Sequence, residues 1–218
     1  MASSVVGFFD ILGTKNAVID DRFSDTDILE FVNAIVLAAD LNPTIRFAVF
    51  SDSVIISGSS SETKPLLRAV NFMYANWFSE LVYVRGAISC GDIHWLDDPS
   101  FDTTYQSLPN LTYARVYGKG LVDAYNLEHR SGPGAICFLT KETAELLLER
   151  ESLSVLESNL PLLCWATEQQ AKACQVNAKL HLERTRRDTD EWRHATATKY
   201  YFDTVVSQTR FLPESYSK

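Results

Sequence analysis

Basic residues are too few for one whole class of partner. Lysine and arginine together number 20 against 28 acidic residues, a formal net charge of −8. General binding to a nucleic-acid backbone needs a basic face, so no nucleic acid is expected as a partner. An anionic ligand would need a local cluster of cations or metal ions instead. Cysteine is also sparse: Cys90, Cys137, Cys164 and Cys174 share no CxxC or Cys/His spacing. That argues against a zinc site or a thioredoxin motif and leaves buried free thiols in a reducing compartment. The four histidines, His94, His129, His181 and His194, are scattered without ligand spacing. No run approaches the roughly eighteen uninterrupted apolar residues of a membrane span. Met1-Ala2-Ser3-Ser4 leads straight into an apolar segment with no basic region, signal core or cleavage site, so the expected location is cytoplasmic, with no membrane partner. Internal repeats and low-complexity segments are lacking as well. What remains is a chain of 218 residues, 46% apolar and 22% charged, which is ordinary for a globular protein and long enough for a substantial core.

The first apolar run, Val5-Val6-Gly7-Phe8-Phe9-Asp10-Ile11-Leu12-Gly13, organises the rest. Its bulky residues read as a strand buried on both faces, and Gly13 allows a sharp turn at its end. Asp10 interrupts it. A buried ionised carboxylate needs a metal, a cation or a set of N–H donors. A structural Asp capping a turn is the alternative. Phe47-Ala48-Val49-Phe50-Ser51-Asp52-Ser53-Val54-Ile55-Ile56-Ser57 then reads as a tight hairpin with Asp52 at its tip, although Asp52 is also an ordinary turn residue. Together the two aspartates suggest one divalent-metal site.

Helical spacing predicts helices over 28–39, after N-cap chemistry at Ser24, and over 65–81, with Pro65 in the first turn. Strands are expected over 44–50, 54–57 and 82–92, so the order to this point is β-α-β-β-α-β. This is an α+β fold of the ferredoxin-like type, with an antiparallel sheet, helices packed on one face, and the first and fourth strands side by side at its centre. Residues 96–111 read as a surface excursion or lid, followed by a helix from Gly120, a strand over 135–139, a helix over 141–151 and a short strand with a turn over 155–165. Two long charged helical patterns close the chain at 167–187 and 190–211, and the expected division is a main domain over 1–165 and a helical extension over 166–218 packed on it.

Four segments in order resemble the motifs of class III nucleotide cyclase domains: Phe8-Phe9-Asp10-Ile11-Leu12-Gly13; Phe50-Ser51-Asp52-Ser53; Val84-Arg85-Gly86-Ala87-Ile88-Ser89-Cys90-Gly91; and Val116-Tyr117-Gly118-Lys119-Gly120-Leu121-Val122-Asp123-Ala124-Tyr125-Asn126-Leu127-Glu128. The match spans about 5–140 and is nearest to the pyrimidine cyclases of the Pycsar antiphage systems. The resemblance implies a homodimer with active sites at the interface, acting on UTP or CTP and making a cyclic nucleotide for a separate effector protein. It also implies two Mn²⁺ or Mg²⁺ ions per site, held by Asp10, Asp52 and the Ile11 carbonyl. Hard cations with oxygen ligands suit phosphoryl transfer, because they stabilise charge on both attacking and leaving oxygens. The amides of Leu12, Gly13, Thr14 and Lys15 would bind the β- and γ-phosphates.

The departures from the family pattern bear on the substrate. Positions that read a purine edge in the family are Ala48 and Arg115 here, and Phe50 would narrow or stack against the base pocket, so a pyrimidine fits better. Arg115 would contact the base or the developing charge. The family's transition-state Asn and Arg correspond to Val122 and Asn126, which leaves Arg85, Arg115 or Lys119 to neutralise that charge. Read without the resemblance, Phe50 is core, Arg85 makes a salt bridge within the sheet, and Lys119 is solvated.

Overall fold

A computed structural model describes residues 4–21, 23–96, 116–151, 155–156 and 159–216. Strand β1 (Ser4–Ile11) is followed by helices α1 (Thr14–Ile19) and α2 (Asp25–Leu41), the hairpin β2 (Arg46–Phe50) and β3 (Ser53–Ser59), helix α3 (Thr63–Ser79) and strand β4 (Val84–Gly91). Strands β5 (His94–Trp95) and β6 (Val116–Tyr117) pair as a separate ribbon, and helix α4 (Lys119–Arg130) follows. The chain continues through β7 (Cys137–Leu139), α5 (Lys141–Glu151), β8 (Val155–Leu156), β9 (Leu162–Leu163), α6 (Glu168–Arg184) and α7 (Asp190–Ser207).

Among the described residues the main sheet has seven strands, in the order β2-β3-β1-β4-β7-β9-β8. Its pairings are antiparallel except β4 with β7. β1 and β4 are neighbours at the third and fourth places, as expected, because β7 and its neighbours extend the sheet beyond the βαββαβ unit.

Alternation along β1 decides what each face of the sheet meets. Val5, Phe9 and Ile11 join the main core under α2 and α3, where Phe31 stacks on Trp77 at 5.2 Å and Trp77 Nε1 donates to the Phe31 carbonyl at 3.0 Å. Gly86 is required beneath Phe9, because a Cβ there would stand 2.1 Å from the ring. α2 begins at a capping box formed by Ser24 and Asp27, and α6 at one formed by Thr167 and Gln170. The C-terminal helices extend the same core. Phe202 meets Phe78 at 5.1 Å, Trp165 stacks on Tyr74 at 4.8 Å, and Asn71 Nδ2 donates to the Trp165 carbonyl at 2.8 Å.

One element departs from the expectation. α1 was not expected: it has six residues, no side-chain cap and no buried position, so it leaves no periodic signal. The two helices of the βαββαβ unit, α2 and α3, share one face as expected, and α4, which follows that unit, packs on the opposite face against Val6, Phe8 and Ile55. The expected lid falls almost entirely on residues 97–115, outside the described residues.

Candidate active site

Val6, Phe8 and Asp10 project from β1 toward α4, and Val6 and Phe8 form a small cluster with Ile55 and Ala124. Two glycines let the helix come this close. A Cβ on Gly91 would stand 2.7 Å from the Gly120 nitrogen, and Ser89 Oγ donates to the Gly120 carbonyl at 2.6 Å. The buried stripe of α4 is Gly120, Ala124 and Glu128, so the docking that buries Ala124 also buries the carboxylate of Glu128.

The β2–β3 hairpin turns through Ser51 and Asp52, with Ser51 in the left-handed region at φ 52°. Two bonds tie this turn to the end of β1. Ile11 N–H donates to the Asp52 carbonyl at 3.0 Å, and Ser53 Oγ donates to Asp10 Oδ1 at 2.5 Å. Asp10 and Asp52, far apart in sequence, are thereby brought close enough to interact electrostatically. Burial pushes the Asp10 carboxyl up to about 6, and the charges of Asp52 and Glu128 add to that, while the Ser53 hydrogen bond and His129 oppose it. Such a carboxylate is short of positive charge.

Arg85 lies directly across from Asp10 in the β1–β4 pairing. Its Nε donates to Glu128 Oε1 at 2.6 Å and its Nη1 to the Gly132 carbonyl at 3.4 Å. Glu128 is fully buried, and its other oxygen lies 2.6 Å from His129 Nδ1 without hydrogen-bond geometry. Lys119 pairs with Asp123 on the surface of α4. Phe50 stands on the same face as Asp10, packed beside the Phe8 and Ile55 cluster. Arg115 lies outside the described residues.

At the β1–α1 turn, Gly13 takes φ 79° and Thr14 Oγ1 donates to the Ile11 carbonyl at 3.2 Å, which leaves that oxygen a second lone pair. Leu12 N–H already donates to the Tyr83 carbonyl at 2.8 Å, so the Gly13, Thr14 and Lys15 amides at the helix start are the ones left to face a ligand. Among the described residues no three His, Cys, Asp or Glu side chains converge as a metal cage. Two carboxylates and a carbonyl oxygen nevertheless fit Mg²⁺ or Mn²⁺ in a site where substrate phosphates complete the shell. A cleft of about 520 Å³ opens on the other side of the β1–α1 turn, lined by Leu12, Gly13, Tyr83, His181 and His194 among others, and neither Asp10 nor Asp52 lines it.

Glu128 is the site residue that motif reading passed over. Its signal was the spacing of 120, 124 and 128, which puts it on the same helical stripe as two small residues.

No protein-family model and no curated protein matches the sequence. Solved structures do match. The monomeric guanylyl cyclase domain of the RhoGC fusion protein from the aquatic fungus Blastocladiella emersonii superposes with a TM-score of 0.51 at 11% identity, over 74% of this chain and 94% of that one. A bacterial light-regulated adenylyl cyclase superposes with a TM-score of 0.52 at 12% identity, over 79% of this chain and 98% of that one. At such identities the likeness is one of fold. This chain therefore has the mixed α+β fold of adenylyl and guanylyl cyclase domains, the fold that its four motifs resemble.

Proposed function

We propose that the protein is a metal-dependent nucleotide cyclase that converts UTP to 3′,5′-cyclic UMP and pyrophosphate. The observation that carries the reading is the meeting of Asp10 and Asp52 at the end of β1 on a cyclase fold. Asp10, Asp52 and the Ile11 carbonyl would hold two Mn²⁺ or Mg²⁺ ions, which when bound activate the ribose 3′-hydroxyl and neutralise charge on the triphosphate. The Gly13, Thr14 and Lys15 amides would orient the phosphates, and Ser53 would hold Asp10 in its rotamer. The small Ala48 and the aromatic Phe50 on the site face favour a pyrimidine, and CTP is the second choice. Exposed Tyr117, Val122 and Tyr125 support a two-fold interface that completes each site from a second copy. A role in bacterial antiphage signalling through a separate effector, with Arg115 at the base or the developing charge, rests on the resemblance to Pycsar cyclases.

One observation favours a second reading, a cyclase fold that binds nucleotide or a partner without turnover. Val122 and Asn126 stand where the family has its Asn and Arg, and two of the three candidate substitutes, Arg85 and Lys119, are already paired with Glu128 and Asp123. Incubation with Mn²⁺ and each of ATP, GTP, CTP and UTP, followed by mass spectrometry beside an Asp52→Ala control, separates the two. A cyclic pyrimidine monophosphate lost in the control is expected. No product from any nucleotide would favour the binder.

A further inference from the structure

Asp10 and Arg85 are direct cross-strand partners in β1 and β4, so their side chains leave the same face of the sheet with Cβ atoms about 5 Å apart. Opposite charges in that relation ordinarily pair. Here they do not: Arg85 donates to Glu128 at 2.6 Å and to the Gly132 carbonyl, while Asp10 accepts from Ser53. Among the described residues Asp10 has no ion pair. The choice follows from desolvation. Glu128 has no exposed surface and, besides Arg85, only the half-exposed His129 beside it, whereas Asp10 keeps some contact with solvent, so withdrawing Arg85 from Glu128 would be the more costly arrangement.

We infer that Glu128 is a positioning residue that draws the Arg85 guanidinium away from Asp10 and so leaves the Asp10 oxygens to a divalent cation. This rests on the metal-site reading proposed above. The turn after α4 supports the same arrangement, because it is anchored on the C-terminal helix α7. Gly132 accepts from Arg85, Gly134 N–H donates to His194 Nδ1 at 3.0 Å, and Ala135 N–H donates to Thr198 Oγ1 at 2.8 Å. The C-terminal helices thus help to set where Arg85 lies.

Replacing Glu128 by Gln removes the competing charge and lets Arg85 turn to Asp10. Mn²⁺ binding to the full chain, followed by electron paramagnetic resonance without nucleotide, should weaken about tenfold or more in Glu128→Gln. The double variant Glu128→Gln/Arg85→Gln should regain most of the loss, which a merely destabilised fold would not do. Unchanged binding in Glu128→Gln, or a double variant as weak as the single one, would overturn the inference. If the wild-type chain binds no Mn²⁺ either alone or in the presence of UTP, the metal-site reading fails, and a crystal structure of Glu128→Gln decides the positioning by itself. Arg85 on Asp10 supports the inference, and Arg85 held elsewhere overturns it.

Discussion

The Ser53 hydroxyl donates to Asp10 Oδ1 at 2.5 Å, which binds the carboxylate of the first strand to the hairpin that carries Asp52. The bond joins residues 43 positions apart and favours the ionised form of Asp10, the form a cation requires.

Ser53→Ala removes the contact that holds the Asp10 carboxyl down. A hydrogen bond to a charged group contributes about 1.5 kcal/mol, which corresponds to about one pH unit. Protons and metal compete for Asp10, so at subsaturating Mn²⁺ the turnover proposed above should rise with pH in the wild type as that carboxyl, held up by burial, loses its proton. In Ser53→Ala that rise should move upward by about one unit. A pH–rate profile of both proteins checks it, and coincident profiles would refute it.

Asp10→Asn should stabilise the metal-free protein while abolishing turnover. The folded carboxyl titrates near 6 against an ordinary 3.8, so the folded state binds the proton more tightly and ionisation destabilises it. That penalty is absent below about pH 4, grows between about 4 and 6, and is complete at neutral pH. After discounting for solvent screening, the gain should be about 1–2 kcal/mol at pH 7 and near zero at pH 4. Urea unfolding at the two pH values measures it.

Ser51 occupies the left-handed region at φ 52°, where glycine lacks the Cβ clash. Ser51→Gly should therefore raise stability by about 0.5 kcal/mol, net of the entropy glycine adds to the unfolded chain, and leave the position of Asp52 intact. A urea midpoint below that of the wild type would count against this account of the turn.

Asn71 joins the central helix α3 to the start of the C-terminal helices through Nδ2 bonds of 2.8 Å to both the Trp165 carbonyl and Gln170 Oε1. Asn71→Ala leaves both acceptors without this donor and should cost about 2 kcal/mol. Truncation after residue 165 should be far more damaging, because Phe202, Tyr201 and Val205 belong to the main core. Circular dichroism melts of the two variants rank them, and a truncated chain that melts like the wild type would show that the helices are dispensable.

Much of the fold was legible in the chain. The cap at Ser24 and the apolar spacing of α3 announced their helices, and the Ser51-Asp52 turn was readable from its polar residues between two β-rich runs. Asp10 stood out because a carboxylate interrupts a buried strand. The pairing of Arg85 was less accessible. Its strand neighbour is Asp10, and only the docking of α4 brings Glu128, 43 residues away, within 2.6 Å.

Periodicity and turn chemistry are local properties, so the sequence by itself determined the βαββαβ order, the strand that bears Asp10 and the turn that bears Asp52. Tertiary structure decided which charges meet. The register between β1, β3 and β4 sets Ser53 on one side of Asp10 and Arg85 on the other, and the Gly91–Gly120 approach lets α4 descend far enough to bury Glu128. These relations depend on how elements pack, because a carboxylate selects its partner by distance and desolvation, and neither quantity exists until the helix has settled on the sheet.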